Sequence, residues 1–518
     1  MGKYILAHDV GTSNNKAVLV DVEGKVCGKC LIPYGISYPQ PGWAEQSPDD
    51  WWNAVTESTR QVITETKVSP SDILCVVFST QMLGIVPMDE AGNRLGEGII
   101  WMDNRAAEEA KWIMNKFLGE AIFAAIAGAS INGKDGIPKL VWIKKHQPDI
   151  YRRMQCFLDV NGYLTYRCTG RMAMSWANAS AFGIDLKSKR WLSTIFKYVG
   201  YDPAKLPELI SPVSKVGGLT AEAARQMLLL EGTPVMAGGG DVQSAAAGSG
   251  AVGEGEGHVS IGTSAWVGVV TKKKPTGKNG IATIQSADPD KSLLLAQMEL
   301  AGGCLKWLGD EICRAEKADP SISNIFGFMD GQITQVPAGS DYLIFMPWMY
   351  GERSPVADSY IRSGLLNLTP SHTREHIIRA VYEGVAYNIR WMIDRVENEY
   401  KFPLPALRVM GGGSMGHPWM QLIADVTGKR LETIHNPQEA GAIGIAMSAA
   451  VGLGIFDNFE SIKKVVTVDK IFNPDPRNRE VYNLLYNAFQ DLYKDLKSFY
   501  HKLNRTRINE AEQKRRLE

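Results

Sequence analysis

The sequence predicts an α/β protein built from two lobes. Short apolar stretches of the kind that form buried strands alternate with longer segments that have helix-forming patterns, and this alternation is typical of α/β folds. The chain has 518 residues, which is too many for one ordinary core, since domains usually contain roughly 100–200 residues. A short motif, a strand followed by Gly-Thr-Ser and a second strand, also recurs in the two halves of the chain.

The composition is that of a globular protein without a charge bias. Hydrophobic residues make up 45% of the chain and charged residues 22%, and Lys plus Arg equals Asp plus Glu at 56 each. A chain with no basic excess gives no sign of a nucleic-acid partner or of an anionic membrane surface. No stretch approaches the roughly 20 apolar residues of a membrane span, and the start has no signal-peptide pattern. Seven scattered cysteines suit a reducing compartment, so we expect a cytoplasmic protein.

The amino-terminal segment predicts a strand, a turn, a second strand, a hairpin and then a helix. The strands are expected over residues 4–7 and 16–20, with a polar turn over 9–14 between them and a hairpin turn over 23–25. The helix is expected to run from Ser47 to about Thr66, because Ser47 suits an N-cap and Pro48 the first helical position. Further buried strands are predicted over residues 73–79 and 85–88.

The repeated motif concerns the organisation of the whole chain. Residues 9–13 and 260–264 each contain Gly-Thr-Ser between two strands, which indicates two lobes of one topology, with a chance match as the alternative. The Gly-rich run over 238–257 is the candidate crossing between the lobes, and a flexible linker is its alternative. We expect an N-terminal lobe over 1–255, a C-terminal lobe over 256–452, and a helical extension with a tail over 453–518.

The two Gly-Thr-Ser turns are candidate phosphate-binding sites. Their backbone N–H groups and hydroxyls can form a concavity that binds an anion, and two facing turns could hold one triphosphate from both sides. Asp9 ends the first strand and is a candidate Mg²⁺ ligand, since Mg²⁺ favours one or two carboxylates together with phosphate oxygens. Lys16 either reaches a phosphate or is a solvated strand residue.

Asp241 follows three glycines and precedes a run of small residues that predicts a helix start. Glycines allow a ligand or another chain segment to approach closely. A carboxylate near helix N–H groups stays ionised and can accept the proton of an attacking hydroxyl. The alternative is an Asp that only caps the helix, and the spacing alone favours that alternative.

A second Gly-rich segment, residues 411–416, follows an apolar strand over 407–410. A strand that leads into glycines and then a helix suits a nucleotide site. However, neither the GxGxxG fingerprint nor the GxxxxGK[ST] sequence of a P-loop occurs here. The pattern therefore argues against a P-loop kinase.

Taken together, these segments resemble the FGGY family of carbohydrate kinases in the same order from about Lys3 to about Leu496. The matching segments are residues 9–13, 41–52, 81–84, 101–105, 138–142, 239–241, 260–264, 301–303, 347–355, 364–383, 411–413 and 439–442. The resemblance implies an α/β fold of two actin-like ATPase (ribonuclease H-like) lobes with a cleft between them. The N-terminal lobe would carry most of the sugar site and the C-terminal lobe most of the ATP site.

The resemblance also implies the substrates and the site residues. ATP with Mg²⁺ would be the phosphoryl donor, a small sugar or polyol the acceptor, Asp241 the general base and Asp9 the metal-side residue. Sugar-side contacts are expected at Met82, Leu83, Asp103, Arg105, Asp241, Val242 and Gln243. Nucleotide-side contacts are expected at Gly11, Thr12, Ser13, Lys16, Gly262, Thr263, Gly302, Lys306, Gly412, Gly413 and Gly416. Lys306 would either pair with a phosphate or lie on the helix surface expected over 305–314.

Within the family the chain is most similar to the xylulose kinases, and D-xylulose is the leading substrate. That group has His where this chain has Leu83 and Asn where it has Val242, so two polar groups beside the sugar are replaced by apolar ones. Ribulose, fuculose, erythritol and another polyol stay open, and glycerol is disfavoured because its kinases have Arg-Glu where Met82 and Leu83 stand.

Two other functional classes compete with an active kinase. A catalytically weak relative that binds a sugar or nucleotide and regulates another process would not require Asp241. A filament-forming or chaperone ATPase of the actin-like fold would not require the sugar-side segments. The resemblance allows a homodimer, but no apolar patch in the sequence establishes one.

Overall fold

The structure is a computed structural model that describes residues 3–117, 119 and 131–517, with side chains up to residue 506. The strands of the first lobe are β1 (Tyr4–Val10), β2 (Asn14–Asp21), β3 (Val26–Pro33), β4 (Glu45–Gln46), β5 (Ile73–Thr80), β6 (Val86–Asp89), β7 (Gly98–Ile99), β8 (Met154–Leu158), β9 (Ala173–Ser175), β10 (Ile184–Asp185), β11 (Arg190–Trp191), β12 (Glu208–Ile210), β13 (Lys215–Gly218), β14 (Pro234–Met236) and β15 (Gly239–Gly240). Its helices are α1 (Pro48–Thr66), α2 (Ala107–Lys116), α3 (Gly136–His146), α4 (Pro148–Arg153), α5 (Val160–Thr169), α6 (Trp176–Ala179), α7 (Ser193–Tyr198), α8 (Ala221–Met227) and α9 (Asp241–Gly248).

The second half of the chain contains a second sheet and a long carboxy-terminal helix. Its strands are β16 (Gly257–Ile261), β17 (Ala265–Thr271), β18 (Ile281–Gln285), β19 (Ser292–Met298), β20 (Ile344–Met346), β21 (Gly364–Leu366), β22 (Ala406–Met410), β23 (Arg430–Ile434) and β24 (Val468–Phe472). Its α-helices are α10 (Gly302–Trp307), α11 (Arg314–Ala318), α12 (Ile325–Ile333), α13 (Arg374–Tyr400), α14 (His417–Thr427), α15 (Ala440–Gly452) and α16 (Arg479–Leu517).

The two large sheets have the same strand order and directions. The first sheet runs β13-β14-β5-β1-β2-β3, and the second runs β24-β23-β22-β16-β17-β19-β18. In both, the central pairs β1–β5 and β16–β22 are parallel, and the pairs β1–β2 and β16–β17 are antiparallel. The two Gly-Thr-Ser turns connect equivalent strands, β1 to β2 and β16 to β17. The repeat in the sequence therefore reflects a duplicated topology.

Successive side chains of β1 and β2 point to opposite faces of the first sheet, and both faces are buried. Leu6, Val10 and Leu19 pack on one face with Trp51 and Val55 of α1. Ile5, Ala7, Val18 and Val20 pack on the other face with α9 and α15. Helix α15 lies in the second half of the chain but covers the sheet of the first lobe, so it joins the two halves of the fold.

Helices α9 and α15 cross at glycines. A Cβ on Gly248 would lie 1.8 Å from the carbonyl oxygen of Ala440, and a Cβ on Gly444 would lie 2.0 Å from that of Ser244. Only glycine allows the two backbones to approach this closely. The contact fixes the helix that begins at Asp241 against the helix whose first turn contains Gly441.

Most local predictions agree with the structure, and two differ. The predicted helix ends at Thr66 as expected, but the Ser47 side chain makes no capping hydrogen bond. The helix expected over 305–314 is interrupted, because α10 gives way to a π-helical turn at Leu308–Ile312 before α11 begins. Helix α16 packs through Tyr482, Leu485 and Phe489 into the core of the second lobe. Within the described ranges no helix has the length and apolarity needed to cross a membrane.

Candidate active site

Asp9 lies near the end of β1, at the edge of the sheet where β1 and β5 run parallel. Ser79 is its partner on β5, and the Ser79 hydroxyl donates a hydrogen bond to Asp9 Oδ1 at 3.3 Å. Burial raises the pKa of Asp9, whereas the Lys16 ammonium and the Ser79 hydrogen bond oppose the rise. A Cβ on Gly441 would lie 3.4 Å from Asp9 Oδ2, so the start of α15 faces this carboxylate. The partial positive charge of a helix start favours an anion there.

The first Gly-Thr-Ser turn is held in place by side chains from two other segments. The Tyr34 hydroxyl donates to the carbonyls of Gly11 and Asn14. The Trp101 indole donates to Thr12 Oγ1 at 2.9 Å. Ser13 is exposed at the tip of the turn. This leaves the turn preformed, with small residues facing the cleft.

Lys16 spans the two halves of the fold. It pairs with Asp9 across the β1–β2 ladder. Its ammonium donates to the carbonyl of Gln438 at 2.8 Å, just before α15. The lysine therefore has a protein partner beside the first turn, and its positive charge lies within reach of Asp9.

Asp241 is the first residue of α9, and Gly240 occupies the N-cap position, so Asp241 does not cap the helix. Its Oδ1 accepts a hydrogen bond from the backbone N–H of Val242 at 2.9 Å. Burial is the main cause that raises the pKa of Asp241 to about 7, and the nearby charge of Asp9 is the second. The two carboxylates thus share one site, and Asp241 titrates near neutral pH.

The glycines before Asp241 are required by close contacts. Gly238 has a φ of 65°, and a Cβ there would lie 2.3 Å from the carbonyl oxygen of Phe78. A Cβ on Gly240 would lie 2.5 Å from Met82 Cγ and 2.6 Å from Gln243 Oε1. Met82 and Gln243 therefore converge on the backbone next to Asp241, which brings two of the predicted sugar-side residues beside this carboxylate.

Leu83 has a left-handed backbone conformation, with a φ of 61°. A bulky residue rarely adopts this conformation, whereas His and Asn do so more readily. Its side chain packs against the apolar cluster that includes Ile85 and Ile99. The conformation marks Leu83 as a constrained position in the sugar-side segment.

Asp103 and Arg105 form a buried pair. Arg105 Nη2 lies 2.7 Å from Asp103 Oδ2, which also accepts the N–H of Ala44 at 2.6 Å. The guanidinium stacks 3.7 Å above the Trp43 ring and donates to Glu45. Asp103 is saturated by protein donors, but Arg105 Nη1 is buried without a hydrogen-bond partner in the described part of the chain. Arg105 Nη1 is therefore the unpaired polar group of this pair, and like the rest of the Arg105 side chain it is fully buried.

The second Gly-Thr-Ser turn is tied to the start of α10. The N–H of Gly302 donates to the carbonyl of Gly262 at 3.0 Å, and the N–H of Ala301 donates to that of Thr263 at 2.8 Å. A Cβ on Gly302 would lie 2.5 Å from the Gly262 carbonyl oxygen. The turn therefore needs glycine at position 302.

The Gly411–Gly416 segment lies next to the second turn. Gly411 has a φ of 86°, and a Cβ there would lie 2.5 Å from the carbonyl oxygen of Ile261. A Cβ on Gly413 would lie 2.5 Å from Ile261 Cγ2, and one on Gly416 would lie 2.9 Å from Asp330 Oδ2. A Cβ on Gly412, by contrast, would meet no atom within 4 Å. Gly412 thus presents an open backbone surface.

The side chains of two predicted contact residues, Val242 and Lys306, pack or pair elsewhere in the protein. Val242 packs against the apolar cluster of Ala246, Val270 and Leu293, where α9 meets the second sheet. Lys306 is 68% exposed and pairs with Asp310 four residues later. Lys306 therefore lies on the helix surface, where its ammonium pairs with a carboxylate of the protein.

Several residues at the site were not assigned a role from the sequence. They are Tyr34, Ser79, Trp101, Lys139 and Gly441. Ser79 could have been found from the sequence, because it ends the strand predicted over 73–79 and the ends of parallel strands meet at one edge of a sheet. Trp101, Lys139 and Gly441 lie in segments that carry the resemblance but have no chemical signature of their own.

Comparisons with known proteins identify the family of the chain. Models of the N-terminal and C-terminal domains of the FGGY family of carbohydrate kinases match residues 4–248 and 257–453. The chain is 28% identical over 513 residues to a xylulose kinase of Bacillus subtilis, covering 98% of this chain and 100% of the relative. It is 26% identical over 504 residues to a gluconokinase of the same species, covering 96% of this chain and 97% of the relative.

A solved structure shares the fold. The ligand-bound xylulose kinase from Lactobacillus acidophilus superposes with a TM-score of 0.87 at 23% identity, covering 97% of this chain and 100% of that one. The two-lobe α/β fold predicted from the sequence is confirmed by this likeness.

Proposed function

The chain belongs to the FGGY family of carbohydrate kinases, and we propose that it transfers the terminal phosphoryl group of ATP to a hydroxyl of D-xylulose, with Asp241 as the general base. The enzyme class follows from the family. The sugar and the residue roles are the parts we propose. The observation that carries the proposed reaction is the position of Asp241, at the start of α9 and beside Asp9, with a pKa of about 7.

The proposed role of Asp241 follows from its ionisation. A base with a pKa near 7 is ionised in about half the molecules at neutral pH and is still basic enough to accept a proton during attack. In the step we propose, the sugar hydroxyl oxygen bonds to the γ-phosphorus, its proton passes to the Asp241 carboxylate, and the bond to the β–γ bridging oxygen breaks to release ADP. An aspartate with an ordinary pKa of 3.8 would be a weaker base.

The two Gly-Thr-Ser turns are the proposed phosphate-binding elements. The first is preformed by Tyr34 and Trp101, and the second by its hydrogen bonds to Ala301 and Gly302. Preformed N–H groups and hydroxyls do not have to be ordered when the phosphates bind, which favours positioning for phosphoryl transfer. Lys16 would add a positive charge beside the first turn.

Asp9 is the proposed metal-side residue. Its Oδ1 has one long hydrogen bond to Ser79, so the carboxylate keeps free acceptor capacity. Within the described residues no group of three His, Cys, Asp or Glu side chains could hold a metal ion. This suits Mg²⁺, which is commonly bound by one or two carboxylates, water and substrate phosphates. When bound, it would offset the charge of the β- and γ-phosphates.

The second lobe offers the proposed nucleotide surface. Gly412 faces open space, and its neighbours Gly411 and Gly413 pack against Ile261. A backbone without side chains lets a flat base or ribose approach closely. Gly262, Thr263, Gly302 and Gly416 complete the nucleotide side of the proposal.

D-xylulose is proposed because relatives that match the full length of the chain are named xylulose kinases. Leu83 and Val242 are the residues that bear on this choice, since neither side chain can hydrogen-bond a hydroxyl. Of the other predicted sugar-side residues, Met82 and Gln243 lie against Gly240 beside Asp241, and Gln243 Oε1 has no hydrogen-bond partner in the described part of the chain. A relative named gluconokinase makes gluconate the natural competitor in the test.

The test is the release of ADP from Mg-ATP across a panel of acceptors. The panel contains D-xylulose, L-xylulose, D-ribulose, L-fuculose, erythritol, glycerol and gluconate, and the phosphorylated product is identified by mass spectrometry and NMR. We expect the highest kcat/KM with D-xylulose. A higher kcat/KM with any other acceptor would overturn the proposed substrate, and no turnover with any acceptor by folded protein would overturn the proposed reaction.

A further inference from the structure

Lys139 is a buried lysine that the proposed chemistry does not use. It lies in the first turn of α3, and its residue is 0% exposed. Its ammonium donates to the carbonyl of Ile100 at 2.8 Å and to the carbonyl of Leu83 at 3.3 Å. Lysine is almost never fully buried without such partners, and burying an ammonium is costly. A position of this kind calls for a specific reason.

The two carbonyls belong to the two segments that contain the proposed sugar contacts. Leu83 follows Met82, which reaches the backbone beside Asp241. Ile100 precedes the loop that contains Asp103 and Arg105. The two segments already lie side by side, since Ile85 and Ile99 exchange backbone hydrogen bonds at 2.9 and 3.0 Å. Lys139 comes from α3, 39 residues beyond Ile100, and its ammonium binds both segments just beyond this backbone pair.

The backbone at Leu83 is the part most in need of such support. Its φ of 61° places a bulky residue in the left-handed region, which persists only where the surroundings hold it. The hydrogen bond from Lys139 fixes the orientation of the Leu83 carbonyl. Gly84 follows, and a Cβ there would lie 2.7 Å from Val160 Cγ2, so the turn has little freedom to shift.

Charged groups of both signs surround the buried Lys139 ammonium. Burial lowers the pKa of Lys139 to about 7, Asp103 and Asp135 act in the opposite direction, and Arg105 and Lys134 lower it further. Asp103 is the same carboxylate that orients Arg105. The lysine thus lies within the electrostatic environment of the Asp103–Arg105 pair as well as touching the Leu83 turn.

We propose that Lys139 is a positioning residue for the sugar site, which holds the Met82–Leu83 turn and the Trp101–Arg105 loop in register through the carbonyls of Leu83 and Ile100. The inference rests on the proposed function, because it assumes that these two segments contact the sugar. Lys139 itself contacts neither the sugar nor the nucleotide in this account. Its loss should therefore weaken sugar binding much more than nucleotide binding, which it reaches only indirectly, through the hydrogen bond from Trp101 to Thr12.

The test compares Lys139→Met with the wild-type chain and with Lys197→Met. Lys197 is an exposed lysine of the same lobe, so its variant removes the same charge without touching the two segments. Sugar and ATP dissociation constants are measured by quenching of intrinsic tryptophan fluorescence and by calorimetry, and KM and kcat are measured with both substrates. The sugar used is the acceptor with the highest turnover in the wild-type panel.

We expect Lys139→Met to raise the sugar Kd and KM about tenfold, with the ATP Kd changed by less than twofold and with Lys197→Met unchanged. A folded Lys139→Met protein with a wild-type sugar KM would overturn the proposal, as would an equal rise for sugar and ATP. If Lys139→Met does not fold, the sugar KM of Lys139→Arg tests the proposal instead. The longer, planar guanidinium should displace the two carbonyls and raise the sugar KM at least threefold, and a wild-type value would overturn the proposal.

Turnover by the wild-type chain distinguishes a failure of the proposed function from a failure of the role proposed for Lys139. Turnover by the wild-type chain without a change of sugar KM in the Lys139 variants would overturn only the role of Lys139. Absence of turnover with every sugar would overturn the proposed function and this inference with it.

Discussion

The charge of Asp9 adds to burial in raising the pKa of Asp241 to about 7, so the carboxylates of these two residues interact across the floor of the cleft. Asp9 belongs to β1 and Asp241 to α9, more than 200 residues later in the chain. The interaction arises because β15, which leads into α9, pairs with β5 in the same sheet as β1. It couples the proposed metal-side residue to the proposed base.

Asp9→Asn should lower the pKa of Asp241. The substitution removes a neighbouring negative charge, so the ionised form of Asp241 becomes easier to reach and the acid limb of the pH–kcat/KM profile should move to lower pH. Activity itself should fall by at least about tenfold, because the metal-side carboxylate is lost. The control is Asp21→Asn, an aspartate of β2 at the opposite end of the ladder from Lys16. An acid limb of Asp9→Asn that stays in place, or moves to higher pH, would contradict the coupling.

Asp241→Asn should be more stable than the wild-type chain at alkaline pH. The folded-state pKa of about 7 exceeds the ordinary 3.8, so the contribution of Asp241 to stability is present below pH 4 and is lost as the pH rises to about 7. An amide escapes this loss, which amounts to at most about 4 kcal/mol. Thermal unfolding of both proteins between pH 5 and pH 8 measures the difference. A gap between their midpoints that does not widen in favour of the variant would contradict the raised pKa.

Leu83→His should raise kcat/KM for D-xylulose by about three- to tenfold. Histidine supplies a hydrogen-bonding group, and it tolerates the φ of 61° better than leucine does. Leu83→Gly is the matched control, because it removes the backbone strain without adding a hydrogen-bonding group. The quantity to compare is the ratio of kcat/KM for D-xylulose to that for gluconate. If His and Gly change this ratio equally, the polar group at position 83 has no part in specificity.

Gly412→Ala should weaken ATP binding without destabilising the protein. A Cβ at this position meets no protein atom within 4 Å, so a nucleotide that approaches the backbone is the group that would collide with it. We expect the ATP KM to rise about fivefold or more while the thermal midpoint of the nucleotide-free protein stays within about 2 °C. Gly331→Ala is the control, since that glycine also faces open space but lies on α12. An unchanged ATP KM would remove Gly412 from the nucleotide surface.

The parts of the fold that depend on local signals could be predicted from the sequence. Pro48 at the first helical position and the change of pattern at Thr66 delimit α1, and the strand–glycine–strand motif marks equivalent points of the two sheets. The interruption of the helix at Leu308 could not be predicted, because Gly309, a weak helix former inside the π-helical turn, does not by itself decide whether a helix ends, bends or continues. There the tertiary packing decides over local propensity.

Residues of the candidate site could be predicted from the sequence only where they belong to a recognisable motif. Asp9 ends a predicted strand and is a candidate metal ligand from its position, whereas the spacing around Asp241 alone favours a helix cap, and only the resemblance to the family implies the role of base. The packing of Val242 against the cluster of Ala246, Val270 and Leu293 depends on how α9 meets the second sheet. The hydrogen bond from Lys139 to Leu83 joins residues 56 positions apart and leaves no pattern in either segment. Such contacts are set by the packed fold, and a single sequence has no local feature that encodes them.

The most direct test of the central claim is phosphoryl transfer by Asp241→Asn, with the sugar and ATP dissociation constants measured on the same protein. The asparagine keeps the shape of the side chain but cannot accept the proton. We expect kcat to fall by about 1,000-fold or more, in the range expected for loss of a general base, while both dissociation constants stay within about threefold of wild type. Turnover within about tenfold of wild type would show that Asp241 is not the base.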